Sequence, residues 1–189
     1  PLVGGVILFT RNFNDIDQVS KLVDTIRSIK NESFLIAVDH EGGRVQRFKN
    51  GFTQIPPMKY LGSVYDREPM HAVKLAYAYG VIIAHELGNL NIDLNFSPVV
   101  DLDLNLSEII GNRAFHSDST IVVKLATSFI KGLRKVGMSS VGKHFPSHAW
   151  AKIDSHMDTT IDDRSISELS NDFLPYQELS NEKMDAIML

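Results

Sequence analysis

Two short, unbroken apolar runs constrain this chain most: Gly5–Phe9 (GVILF) and Phe34–Val38 (FLIAV). Neither alternates with polar residues, and both are short, which is how a strand covered on both faces reads. Between them Ile16, Val19, Leu22, Val23, Ile26 and Ile29 recur at helical spacing, predicting a helix from Asp15 to about Ile29 with Asn14 as its cap. Asp15 and Asp17 at its start and Arg27 and Lys30 at its end suit the helix dipole. Two such strands joined through a helix form a parallel crossover unit, because a tight turn can only return a chain antiparallel.

The same alternation continues. Ile92–Val100 predicts a third strand, Ser139–Phe145 a fourth and Asp185–Leu189 a fifth. Helices are expected from about Pro69 to Leu87, from about Thr120 to Val136 and, more weakly, from Ile166 to about Leu179. Phe52 to Asp66 reads as loop, since Pro56-Pro57 excludes regular structure there. Strands alternating with helices define an α/β fold with a parallel sheet. Polar residues gather just after the strands, at Asp39 to Arg47, at Asp101 and at Lys143-His144, as they do on the C-terminal face of a (β/α)8 TIM-type barrel. Five strands cannot close such a barrel, so residues 1–189 are expected to be an incomplete piece of one, a single partial domain without internal repeat or linker. The missing initiator Met places the expected start upstream of Pro1.

Composition removes several function classes. The chain carries 19 Lys and Arg against 23 Asp and Glu, a net charge of -4, so it offers no polycation for nucleic acid. No apolar run approaches the ~18–20 residues that span a bilayer, and the start lacks the basic region of a secretion signal. With no cysteine there is neither disulfide nor thiolate metal site, which fits a reducing cytoplasm.

Three stretches carry the chemistry. In Asp39-His40-Glu41-Gly42-Gly43-Arg44-Val45-Gln46-Arg47, adjacent glycines permit a tight turn at a strand end, flanked by acids and arginines. An Asp there can hold two sugar hydroxyls and an Arg offers a fork of donors; a structural Asp–Arg pair is the plainer alternative. Adjacent glycines without a following GK[ST] do not make a phosphate loop. Gly111-Asn112-Arg113 is, by itself, a loop arginine of the usual solvated kind.

The third stretch is Val141 to His156, VGKHFPSHAWAKIDSH. Lys143 directly after an apolar strand must face a polar cleft, and His144 should point the opposite way if the chain stays extended. Asp154 and His156, two apart, can hydrogen-bond in an extended loop, which suits a general acid/base; a turn-capping Asp and a solvated His are the alternative. His144, His148, Asp154 and His156 are also plausible zinc ligands, although they form neither an HxH nor an HExxH motif and Lys143 would repel a cation.

Read together, the motifs resemble a known family. Val38–Arg47 resembles the DxEGGRVQR of bacterial β-N-acetylglucosaminidases of glycoside hydrolase family 3, and Lys143-His144-Phe145-Pro146 with Asp154-Ser155-His156 resembles their KHFPGHG…DSH. Ile110–Phe115 is similar to their IGxRxF, and Leu8–Asn12 and Asn95–Asp101 also fit, in the same order along essentially the whole chain. The resemblance implies a retaining glycosidase that removes terminal β-linked N-acetylglucosamine through a covalent glycosyl-enzyme on an Asp, with neither metal nor cofactor. It implies that Asp39, Arg47, Arg113, Lys143 and His144 hold the sugar, that His156 is the acid/base and that Asp154 is its partner. The implied substrate is a small carbohydrate, N-acetylglucosamine linked to anhydro-N-acetylmuramic acid peptides, handled by a full-length monomer in the bacterial cytoplasm during peptidoglycan recycling. The chain departs from the pattern at Ser147, where the family has Gly, and at Ala149-Trp150. The family's nucleophile motif, Ser-Asp-Asp-Leu, does not occur in these 189 residues. The polypeptide is therefore expected to be inactive alone, with a non-catalytic sugar-binding fragment as the alternative and a metal-dependent hydrolase as the more distant one.

Overall fold

The computed structural model describes residues 3–29, 34–150, 161–182 and 184–189. The two apolar runs pair as expected. Strand β1 (Gly5–Leu8) lies parallel to β2 (Leu35–Val38), in register from Gly5 opposite Leu35 to Leu8 opposite Val38, and helix α1 (Ile16–Ile29) makes the crossover. The cap of α1 sits one residue later than the sequence suggests: the Asp15 carboxylate accepts the Gln18 N–H at 2.8 Å, while the Gln18 side chain accepts the Asn14 N–H at 2.9 Å. A carboxylate at that position also faces the positive end of the helix dipole.

A two-stranded antiparallel ribbon follows β2, formed by β3 (His40–Gly42) and β4 (Val45–Gln46). Gly42 and Gly43 make its turn at φ of 105° and 58°, a region that side chains with a Cβ resist. Pro56-Pro57 does not exclude regular structure nearby. It precedes helix α2 (Met58–Tyr65), with Pro57 as the N-cap residue, a position where the missing N–H of proline is no loss. Met58, Leu61 and Val64 are buried at the i, i+3, i+6 spacing of one helix face.

Helix α3 (Pro69–Gly88) leads to β5, which is shorter than the expected Ile92–Val100: only Leu94–Asn95 pairs as a strand. The cis Ser97–Pro98 peptide turns the chain there, and Val99 returns to the sheet as an isolated bridge to Lys143. Helix α4 (Ser119–Lys135), β6 (Ser139–Lys143), α5 (Ser170–Asn181) and β7 (Ala186–Met188) complete the described elements. The parallel sheet runs in the order β1-β2-β5-β6-β7, the arrangement of an open, partial (β/α) barrel. Three residues of β2 are buried, whereas Ile7 of β1 and Ile187 of β7 at the two edges are exposed. No helix among the described residues is long and apolar enough to cross a membrane.

Helices α3 and α4 pack more closely than side chains would allow. A Cβ on Gly80 would overlap the Phe129 carbonyl oxygen, and one on Gly132 would overlap that of Tyr77. The two glycines face each other at this crossing, so backbone meets backbone. Ser128 Oγ donates to the Val73 carbonyl at 2.7 Å in the same contact. Gly80→Ala or Gly132→Ala should therefore force the helices apart and lower stability by about 1–3 kcal/mol, the range of overpacked cores, read as a reduced urea midpoint with an unchanged m-value.

His40 is fully buried, with Phe48 and Phe52 against its ring and, among the described residues, no hydrogen-bond partner at either ring nitrogen. Asn95 holds its backbone instead, through two hydrogen bonds of 2.9 Å. Burial pushes the imidazole pKa down from its ordinary 6.5 to about 4. The unfolded chain thus takes up a proton before the folded one does, so stability falls as pH drops from about 6.5 to about 4. His40→Leu should remove that part of the acid limb, a contribution on the order of 3 kcal/mol by pH 4, measured by denaturation across this window.

Candidate active site

Strand ends deliver the polar side chains to one cleft. Asp39 follows β2, Lys143 closes β6, and Phe9, Phe96 and Met188 stand at or just after the ends of β1, β5 and β7. The cleft is about 600 Å³, within the range of small-molecule sites, and Asp39, Arg47, Arg113, Lys143 and His144 all line it. The five residues for which the resemblance implies sugar binding are therefore brought together. Asp154 and His156, the inferred proton-transfer pair, lie outside the described residues.

The centre is an ion network. Lys143 is 2% exposed, and its Nζ lies 2.7 Å from Asp39 Oδ1 and 2.6 Å from Glu41 Oε1. Arg113 grips Glu41 with a two-pronged pair, Nε to Oε2 at 2.9 Å and Nη2 to Oε1 at 2.8 Å, and donates from Nη1 to the Ile109 carbonyl at 3.1 Å. Arg47 Nη2 reaches Asp39 Oδ2 at 3.3 Å. Desolvating charges costs several kcal/mol per ion, and only a complete set of partners offsets it. Burial on its own would raise the pKa of Asp39 and Glu41; the Lys143 ammonium, aided by Arg47 for Asp39 and by Arg113 for Glu41, outweighs it and holds both below their ordinary values. Burial likewise works against the Arg113 charge, but Glu41 raises its pKa overall.

His144 does not point away from Lys143. The peptide between them is cis and both side chains line the cleft. His144 Nδ1 lies 2.7 Å from Asp101 Oδ2, and its Nε2 is 3.4 Å from Arg113 Nη2. Asp101 also accepts the His144 N–H at 3.1 Å and the His148 N–H at 2.7 Å. The lone loop arginine of the sequence, Arg113, is thus one of the more deeply committed side chains in the cleft, with 10% of its side chain exposed.

Two residues carry more than sequence reasoning assigned them. Glu41 stands two positions after Asp39, so in extended chain both carboxylates share a side; that spacing was the available signal. Asp101 marks the end of the third apolar stretch, yet nothing in its spacing points to a histidine 43 residues later. As to metal, no three His, Asp or Glu side chains among the described residues are placed to share an ion.

Beside the cleft, Trp150 donates from Nε1 to Asp163 at 2.9 Å, and the Arg164 guanidinium lies 5.0 Å from the Trp150 ring centroid. Arg164 in turn pairs with Asp172 of α5 at 3.0 Å. The chain before residue 151 and the chain after residue 160 are thereby fastened together and to α5. Trp150, a departure from the family pattern, supplies the indole for this junction.

A parallel sheet that collects acids, cations and aromatics at its strand ends is the general form of a TIM-type enzyme cleft, which serves many chemistries, and the comparisons make it specific. The glycosyl hydrolase family 3 N-terminal domain matches residues 1–189, and the chain belongs to that family. It is 46% identical over 190 residues to a beta-hexosaminidase of Bordetella avium, and 47% identical over 189 residues to one of Methylobacillus flagellatus. Each match takes in 100% of this chain and 54% of the relative, so the chain spans about half the length of these curated relatives. Among solved structures, NagZ from Neisseria gonorrhoeae in complex with N-trifluoroacetyl-D-glucosamine aligns with a TM-score of 0.95 at 45% identity, over 100% of this chain and 55% of that one. A family 3 β-N-acetylglucosaminidase from Paenibacillus aligns with a TM-score of 0.89 at 33% identity, over 98% of this chain and 35% of that one.

Removing one member of the ion network strands the others. Lys143→Met should lower stability by about 3–5 kcal/mol, because two buried carboxylates lose their shared cation, and Glu41→Gln, which keeps the shape, should cost less. Because both carboxylates titrate below their unfolded values, the network's contribution is complete above about pH 4.5 and is lost as pH falls through the folded values. The acid limb of the Lys143→Met stability curve should accordingly be shallower than that of the parent, as followed by urea denaturation at stepped pH.

Proposed function

We propose that these residues are the N-terminal part of a (β/α)8 glycosidase domain that hydrolyses terminal β-linked N-acetylglucosamine with retention. The observation that carries the proposal is the cleft at the strand ends, in which Asp39, Arg47, Arg113, Lys143 and His144 converge. Its chemistry suits a polyhydroxylated neutral sugar. The Asp39 carboxylate can accept from hydroxyls, and Arg47, Lys143 and Arg113 offer donors fixed by their own ion pairs. Relatives named beta-hexosaminidase and NagZ support the same reading.

In the proposed mechanism, His156 protonates the leaving glycosidic oxygen and later activates water, with Asp154 accepting from its other ring nitrogen. A histidine's ordinary pKa of ~6.5 lies close to neutral pH, where a proton shuttle needs it. An Asp from a segment beyond residue 189 attacks the anomeric carbon; Asp39, Arg47, Arg113, Lys143 and His144 hold the sugar against it, with Glu41 fixing Lys143 and Arg113 from below. The proposed physiological substrate is N-acetylglucosamine linked to anhydro-N-acetylmuramic acid peptides, cut by a monomeric cytoplasmic enzyme in peptidoglycan recycling. No step calls for a metal or an organic cofactor.

The test is hydrolysis of an aryl β-N-acetylglucosaminide by the whole gene product. Turnover is expected there, with His156→Ala lowering kcat by about 10²–10⁴-fold, the contribution typical of a general acid/base. Residues 1–189 by themselves should release no aryl alcohol. Turnover by this polypeptide alone, lost on His156→Ala, would overturn the assignment of the nucleophile to another segment. A whole gene product that binds N-acetylglucosamine without cleaving its glycosides would instead mark a non-catalytic sugar-binding protein.

A further inference from the structure

We infer that Asp101 is a positioning residue that fixes His144 as a hydrogen-bond acceptor of the cleft, with its proton on Nδ1 and its Nε2 lone pair turned to a donor group of the ligand; this rests on the sugar-binding reading of the cleft. Two contacts, made by opposite sides of the ring, require the same tautomer. The Asp101 carboxylate accepts hydrogen bonds, so the His144 nitrogen 2.7 Å from Oδ2 carries the hydrogen. A guanidinium has only donors, so the other nitrogen, 3.4 Å from Arg113 Nη2, presents its lone pair. A hydrogen on both nitrogens would set two N–H groups against each other at Arg113.

Asp101 is built for this work. Its side chain has no exposed surface, and its two oxygens are filled by the His144 N–H, the His148 N–H and the His144 ring, three bonds to one five-residue stretch. The ring therefore cannot rotate without breaking a buried bond to a carboxylate. The contact on the cleft side is of a different kind. At 3.4 Å it lies beyond the ordinary 2.7–3.2 Å of an N–H donor, and Arg113 Nη2 keeps its shorter bond of 2.8 Å to Glu41. A ligand hydroxyl or amide N–H arriving at about 2.8 Å would thus form a stronger bond than the one it displaces.

That acceptor matters because the surrounding cations offer none. Lys143, Arg47 and Arg113 donate only, and Glu41 is already occupied by Lys143 and Arg113. Asp39 and the Nε2 of His144 are left as the side-chain acceptors of this network that a sugar can reach. Asp101 touches no ligand; it acts through the histidine it holds.

Two measurements test the inference on the whole gene product. The first is the ¹⁵N spectrum of the His144 ring, which separates the two neutral tautomers. The parent protein should show the hydrogen on Nδ1, and a hydrogen on Nε2 would overturn the proposal without any variant being made. The second is Asp101→Asn with a panel of monodeoxy and N-modified N-acetylglucosaminides. On the complete substrate, kcat/KM should fall about 10–100-fold, the size of a lost hydrogen bond to a charged group. For the one analogue that lacks the group received by His144, the parent and the Asp101→Asn variant should differ by less than about threefold, since that bond is already absent. An equal loss on every analogue would mean that Asp101 only supports the loop, and would overturn the proposal. A parent protein that cleaves none of these glycosides would count against the glycosidase reading, while the ring spectrum would still decide the tautomer.

Discussion

The buried ammonium of Lys143 is the interaction on which the cleft depends. It ends β6, yet its partners Asp39 and Glu41 follow β2, and β5 lies between these strands in the sheet. One cation thus ties two non-adjacent strand ends together over the top of a third. Glu41 passes the connection to Arg113, and Arg113 passes it to His144, which Asp101 holds from behind. No member is stable in place without the next, because each is a charged or polar group largely removed from water. The network is both the floor of the cleft and the means by which separate strand ends are held in register.

Much of the fold is legible in the sequence because its causes are local. The continuous apolar runs of β1 and β2 and the helical spacing of α1, α3 and α4 are properties of short windows, and the elements fall within a residue or two of expectation. The departures have equally specific causes. Pro56-Pro57 reads as an exclusion of structure, whereas a proline just before a helix begins it. Ile92–Val100 reads as one strand on hydropathy, but only Leu94–Asn95 pairs; Pro98 has no N–H to give to a ladder, and Val99 returns only as an isolated bridge.

The site is legible through motifs, not through contacts. Resemblance selects Asp39, Arg47, Arg113, Lys143 and His144, and they meet in one cleft. Glu41 and Asp101 stand in the same motifs without an evident role. Their work depends on partners 72 and 43 residues away, which no local pattern specifies. The face to which His144 turns departs from expectation for a similar reason: Asp101, 43 residues earlier in the chain, holds both its backbone N–H and its ring.

The cleft's floor also sets how a ligand can be drawn in. Asp39, Glu41 and Asp101 stand against Arg47, Arg113 and Lys143, three carboxylates set among three cations. Paired in this way, the charges leave little field to reach into solvent, so a ligand is not steered over long distances. Ionic strength then has little hold on association. Recognition is deferred to the last few ångströms, where it is decided by whether each polar group of a ligand finds a donor or acceptor already locked in place.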